Sequence, residues 1–385
     1  MKKNVDDLGL FGGIPLFSTP RPIGQLAVPD IDRFLTFANG TAIPDAIREL
    51  ECRLAAYHGV DHCIAMANAG FAIMLLMRHF AAGRAGNVIM PSFTFRGLPH
   101  FGVWAGQTPR FCDVDRTSHG LDPARVAAAI DAHTTSILAV CNAHHPGDID
   151  GLCTVARDAG IPIFFDSVYA LGCTHRGRLL GAFGQAEVYS LHATKLLNGF
   201  EGGYVTTSDA ALARALRHAA GPAGLDVGLD PLHAAMALAS LDDLDQVIAR
   251  NEERYRTYRR LTADLAGFDV VERHDEPRER YNHLLVVGRI GADWPLDRDR
   301  TVALLRAEGA NIHPYYSPPL HRSVHCPPGC GDVELPVTDH LASCLLQLPS
   351  GDLVSDGDVE DLAALLHLIA AHGDEIAARL DEAGR

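Results

Sequence analysis

Two residues of complementary chemistry set the problem. Lys195, in the segment VYSLHATKLLNGFEGGYV, carries an amine able to form a Schiff base with a carbonyl group. Asp166 closes the apolar run IPIFF and so stands at the end of a strand-like segment. The two work together if the carbonyl belongs to a cofactor with a pyridine ring: an anion beside the ring nitrogen keeps it protonated, and the charged ring takes up electrons released at the substrate's α-carbon. Singly, an aspartate at a strand end and a lysine after another strand are unremarkable. Their meaning depends on the elements that carry them.

From about residue 45 to 215 the sequence alternates between helical and strand-like segments. Amphipathic IPDAIRELECRLAAYHG leads to the apolar run CIAMA, helical FAIMLLMRHFAA to NVIM, and PRFCDVD to helical DPARVAAAIDA. SILAVC, helical DGLCTVARDAG and IPIFFD follow. Continuous apolar runs separated by helices predict a parallel sheet covered on both faces, which binds ligands at the carboxyl ends of its strands. The stretch HAAMALASLDDLDQVIARNEERYRTYRRLTADL lacks proline and glycine and predicts one long helix over residues 232–265, bridging two domains. Beyond it HLLVVG reads as a strand, RDRTVALLRAEG as a helix and VEDLAALLHLIAAHG as a final amphipathic helix. A smaller α/β domain accounts for these. The division expected is an N-terminal arm over 1–40, a large domain over 41–250 and a small C-terminal domain over 251–385.

Composition narrows the class. With 47% hydrophobic and 21% charged residues the chain has the make-up of a soluble globular protein. Its net charge is −15 and no run of Lys or Arg forms a stripe that would neutralise phosphates, so no nucleic-acid partner is expected. No segment approaches the roughly 20 apolar residues of a membrane span, and the N-terminal MKKNVDDLGLFGG has no signal-peptide core; a cytoplasmic protein is the expectation. Nine scattered cysteines read as reduced thiols. His321, His325, Cys326 and Cys330 have short spacings, but the prolines and glycine among them indicate a surface loop rather than a zinc site, and no metal is expected. P-loop, GxGxxG and HExxH motifs are absent from the sequence.

From FGGIPLF through NVIMPSFTF, PRFCDVD, IPIFFDSVYALG, YSLHATKLLNGFEGGYVTT and HAAMALASLDDLD to HPYYSPPLH, the chain resembles the DegT-like family of sugar aminotransferases. These are fold-type I enzymes dependent on pyridoxal 5′-phosphate (PLP). The resemblance implies an α/β fold-type I transferase: a large domain with a mostly parallel central sheet covered by helices, plus a smaller C-terminal α/β domain. It makes Lys195 the Schiff-base lysine and Asp166 the partner of the pyridine nitrogen. Ser190 falls where the family uses a hydroxyl on the cofactor phosphate, and Phe95 where an aromatic ring stacks on the cofactor. Ala69 and Gly70, opening a helix, would offer backbone N–H groups to the phosphate, without the threonine hydroxyl of many relatives. Tyr315, Tyr316 and His321 lie in the stretch that faces the substrate in relatives.

Departures from the family pattern carry expectations of their own. Tyr169 stands where relatives commonly have a glutamine bonded to the cofactor's ring oxygen, and its hydroxyl would donate the same bond. In VGLDPLHAAMALASL the family's asparagine, which reaches the neighbouring subunit's phosphate, is replaced by Asp230 in a shortened segment; an aspartate would be repelled there and is not assigned to the cofactor. His144 and His145 sit on a loop after a strand, where they would shape the pocket. The implied reaction is ping-pong transamination from an amino acid donor, glutamate or glutamine, to a keto group of a sugar nucleotide or related natural-product intermediate, with Lys195 as general base. Two alternatives stand beside it. A PLP-dependent sugar dehydratase is opposed by the retained lysine, and a non-catalytic PLP-binding regulator is suggested by the altered segment at 228–232. The resemblance also implies a homodimer.

Overall fold

The computed structural model describes residues 2–24, 32, 34, 35, 43–142, 145–272 and 279–382. Its main sheet has seven strands in the order β1 (His62–Met66), β9 (Gly203–Thr207), β8 (Ala186–Ser190), β5 (Ile163–Asp166), β4 (Thr134–Val140), β2 (Gly86–Pro91) and β3 (Gln107–Cys112). The pairs from β8 through β3 are parallel, whereas β9 runs antiparallel to both β8 and β1. Thr134–Val140 and Ile163–Asp166 are buried at every position, as expected for strands with helices on both faces. The alternation of apolar runs and helices therefore produced the mostly parallel α/β sheet expected, with one antiparallel strand inserted near an edge.

Four helices lie where the apolar period placed them, α1 (Ile43–His58), α2 (Ala69–Ala81), α4 (Pro123–Ala129) and α5 (Ile149–Ala159); α3 (Leu98–Trp104) and α6 (Ala210–Ala220) are helices that the sequence reading did not name. Helices α2 and α6 join one apolar core against the sheet and α5 joins another. The long helix expected over 232–265 is two helices, α7 (Pro231–Leu241) and α8 (Leu244–Thr262). Its halves need different surroundings. α7 is buried at every residue from Ala234 to Ser240, while α8 buries one stripe through Leu244, Ile248, Asn251, Tyr255 and Tyr258. Asp242 and Asp243 lie between them, and Ser240 turns its hydroxyl to accept the backbone N–H of Asn198. A break at this pair of acidic residues lets the chain leave one core and enter the other.

A second sheet is antiparallel throughout, in the order β10 (Phe268–Val270), β11 (Val286–Ile290), β13 (Leu345–Leu348) and β12 (His313–Pro314). It shares a core with α8, with α9 (Arg298–Ala307) and with α11 (Asp356–Ala371). A further helix, α12 (Gly373–Glu382), follows the one expected to be last. Ile376 and Leu380 are its only large apolar buried side chains, too few for a periodic signal. Val5, Leu8 and Phe17 of the N-terminal stretch enter the same core, and Leu16 N–H donates to Glu308 at 2.8 Å. Two polar clamps tie the sheets together. Asp113, just after β3, accepts Val337 N–H at 3.1 Å and both the N–H and hydroxyl of Thr338 at 2.9 and 2.8 Å, anchoring α10 (Pro336–Cys344). Ser92 Oγ, just after β2, lies 2.7 Å from His321 Nδ1.

Candidate active site

The carboxyl ends of the parallel pair β5 and β8 carry Asp166, which is in register with Val188, and Ser190 two residues beyond it. Both face a cavity of about 440 Å³, which is also bordered by Asn68, Ala69 and Gly70 at the start of α2, and by Phe95, Tyr169 and Lys195. All seven residues expected at the cofactor thus line one cavity. The sequence contains three lysines, two of them at positions 2 and 3. Lys195 is therefore the one lysine of the chain outside its first three residues.

Asp166 is buried and accepts Val168 N–H at 3.2 Å. Burial pushes its carboxyl up to about 6, against the lowering influence of that N–H and of the Lys195 charge. Behind it, Ser167 donates its hydroxyl to buried Glu187 at 2.6 Å. Glu187 also accepts Tyr189 OH at 3.1 Å and the backbone N–H groups of Gly181 and Phe183 at 2.6 and 2.9 Å. Burial raises the Glu187 carboxyl, and these four donors oppose the shift. The turn after Asp166 is therefore anchored by a satisfied polar network rather than by apolar packing alone.

Lys195 leaves the strand through a tight turn in which its N–H donates to the carbonyl of His192 at 2.8 Å. Ser190 Oγ accepts His192 N–H at 3.2 Å, so the hydroxyl both supports this turn and borders the cavity. The Lys195 Nζ lies 3.6 Å from the centroid of the Tyr169 ring. Phe95 is 47% exposed on the cavity wall, an unusual setting for a phenylalanine and one in which a planar ligand would cover it. Asn68 caps α2 by accepting Phe71 N–H at 3.0 Å. A Cβ on Gly70 would come within 2.4 Å of the Phe101 ring, which would have to shift to admit it.

A second cavity of about 620 Å³ shares Phe95 and Tyr169 with the first and is bordered by Tyr316. Tyr316 stacks on Tyr315 at 4.3 Å, and Phe93 meets both rings edge-on. Tyr315 itself is fully buried and His321 nearly so; neither borders this cavity. His321 instead joins Ser92 to Asp339, its Nε2 lying 3.1 Å from Asp339 Oδ1. Of the three residues expected to face substrate, the structure brings Tyr316 to a cavity wall and sets the other two behind it. His145 accepts Gly147 N–H and borders a separate hollow with Asp148 and His175; His144 lies outside the described residues.

Asp230 is exposed and caps α7, its carboxylate accepting Leu232 N–H at 2.8 Å. It serves as the N-cap of α7. Sequence reasoning did not single out His192 and Glu201, which also border the Lys195 cavity and approach each other to 3.7 Å. Their signal was their place in the HATK and EGG segments flanking Lys195. Among the described residues no group of three His, Cys, Asp or Glu side chains is arranged to hold a metal ion, and no helix is long and apolar enough to cross a membrane.

The sequence profile of the DegT/DnrJ/EryC1/StrS aminotransferase family matches residues 31–367. A pleiotropic regulatory protein of Geobacillus stearothermophilus is 30% identical over 87% of this chain and 93% of its own length. A UDP-N-acetyl-3-dehydro-alpha-D-glucosamine 3-aminotransferase of Acidithiobacillus ferrooxidans is 29% identical over 83% of this chain and 87% of its own. Among solved structures, that of DesI in the presence of its TDP-sugar product superposes with a TM-score of 0.88 at 36% identity, covering 97% of this chain and 99% of DesI.

Proposed function

The chain belongs to the DegT/DnrJ/EryC1/StrS aminotransferase family and is a PLP-dependent enzyme, and we propose that Lys195 and Asp166 are the centre of its amino transfer to a keto sugar. One observation carries the assignment of residues. The single lysine outside the first three residues shares one cavity with a buried carboxyl that burial raises and with an exposed aromatic ring. Glutamate or glutamine is the proposed amino donor. The proposed acceptor carries its keto group on a nucleotide-linked sugar or a related natural-product intermediate, in keeping with the aminotransferase and TDP-sugar relatives.

The residues present fit the cofactor. Burial leaves the Asp166 carboxyl short of compensating charge, and a protonated ring nitrogen supplies it. Ala69 and Gly70 N–H groups at the start of α2 and the Ser190 hydroxyl would hold the phosphate, Phe95 would cover the ring, and Tyr169 would border it on the Lys195 side. When bound, PLP supplies a carbonyl carbon for covalent attachment and a ring that accepts an electron pair. Lys195 Nζ would hold the cofactor covalently and, when freed, would take the proton from the donor's α-carbon. Asp166 would be kept ionised by a cationic ring nitrogen and would stabilise positive charge there. Tyr316 borders the neighbouring cavity where the acceptor would enter, with the Tyr315 ring stacked behind it.

Homodimer assembly and a cytoplasmic location complete the reading. Trp104, Phe200 and Leu232 leave large apolar side chains exposed, the kind of surface that an obligate interface covers. The regulator alternative is opposed by Lys195, Asp166 and Ser190 lining one cavity. The test is the absorbance of the PLP-loaded protein. Adding glutamate should convert it to the amine form, and adding a nucleotide-linked keto sugar should restore it. A spectrum indifferent to every amino acid donor would overturn the catalytic reading.

A further inference from the structure

Tyr169 follows Asp166 by three residues and is half-buried between the two cavities. Its backbone is held firmly. Buried Asn282 donates its side-chain N–H groups to the carbonyls of Tyr169 at 2.7 Å and Leu171 at 3.0 Å, fixing the turn that carries the ring. The face of that ring, rather than its hydroxyl, meets Lys195, with 3.6 Å between Nζ and the ring centroid. This is well inside the roughly 6 Å over which a ring quadrupole attracts an ammonium.

We infer that Tyr169 is a positioning residue whose ring face seats the Lys195 ammonium, so that its hydroxyl is dispensable for this task. The inference rests on the reading of Lys195 as the cofactor lysine. The need for such a seat follows from the proton balance. Once displaced from the cofactor, the Lys195 amine takes the proton released as the donor's α-C–H bond breaks, the electron pair of that bond passing to the ring of PLP; the resulting ammonium must stay at the site until it returns the proton. A carboxylate would hold the ammonium more tightly but would resist giving that proton up. An aromatic face attracts the cation without accepting a proton, because it is not a base. Asp166 and Glu201, on the same cavity wall, are the competing counter-ions; Asp166 feels the Lys195 charge, and the Glu201 carboxylate faces His192 at 3.7 Å.

The chain's three lysines permit a direct test. The cofactor-free protein is treated with limiting acetic anhydride at fixed pH, and acetylation of Lys195 is read by peptide mass spectrometry against exposed Lys3. The seated ammonium is protected. Tyr169→Phe should therefore label at the wild-type rate, whereas Tyr169→Leu and Tyr169→Gln should label about three- to tenfold faster. If Leu fails to fold, the comparison of Phe with Gln decides. Labelling of Phe as fast as Gln would place the effect in the hydroxyl and overturn the inference, as would equal labelling of all variants and wild type. Either result leaves the cofactor assignment to be judged separately, by whether PLP bonds covalently to Lys195 in the wild-type protein.

Discussion

At the scale of single residues, Asp166 couples function to stability in opposite directions. Its carboxyl is raised from 3.8 to about 6 by burial, so the unfolded chain gives up the proton more readily than the folded one. The sign follows from linkage. Below about pH 4 both states are protonated and nothing is lost; between about pH 4 and 6 stability falls as pH rises, and above that the cost is complete, about 3 kcal/mol for a shift of this size. Asp166→Asn should consequently stabilise the cofactor-free protein by up to about 3 kcal/mol at pH 8. The gain should vanish near pH 4, as denaturant titration at the two pH values would show. The same variant should lose several orders of magnitude in transfer rate, measured by the glutamate half-reaction, because the group that holds charge on the ring nitrogen is gone. Lys195→Ala should bind PLP without covalent attachment and fail to process glutamate at all; residual turnover near the wild-type rate would show that another base serves.

Elements position these residues through caps and clamps, and two of those can be weighed. Asp113 satisfies two N–H groups and a hydroxyl at the start of α10, so Asp113→Ala should destabilise the protein by about 2 kcal/mol, read as a lowered urea midpoint. Asp230 caps α7 from an exposed position, so Asp230→Ala should cost about 1 kcal/mol while Asp230→Asn should change neither stability nor PLP dissociation. A tighter PLP complex in Asp230→Asn would restore the view that this side chain points at a neighbouring site. These elements also show how far sequence patterns reach. The apolar run ending at Asp166 was plain, since a buried parallel strand announces itself by composition, whereas Ser190 closes the strand AEVYS and was placed by the family resemblance alone. The break after Leu241 was not, because neither proline nor glycine marks it and the change there is one of surroundings, from a core that encloses the helix to one that touches a single stripe. The roles of Tyr315 and His321 were hidden for a related reason: a motif places residues near a site but does not say which ring faces the cavity and which stands behind it.

For the whole molecule, the two sheets meet around polar clamps at Asp113 and at Ser92 with His321, and exposed Trp104, Phe200 and Leu232 lie outside both cores. A homodimer that covers this apolar surface should persist at micromolar concentration in light scattering, and a monomer there would remove the assembly from the account. The central claim is narrower: in a chain with three lysines, only Lys195 bonds to the cofactor. Borohydride reduction of the PLP-loaded protein, followed by digestion and mass spectrometry, reads this directly. The account predicts the mass of reduced PLP on the peptide that contains Lys195, and its loss when the protein is first incubated with glutamate. An adduct confined to Lys2 or Lys3, or one on Lys195 that no amino donor removes, would contradict it.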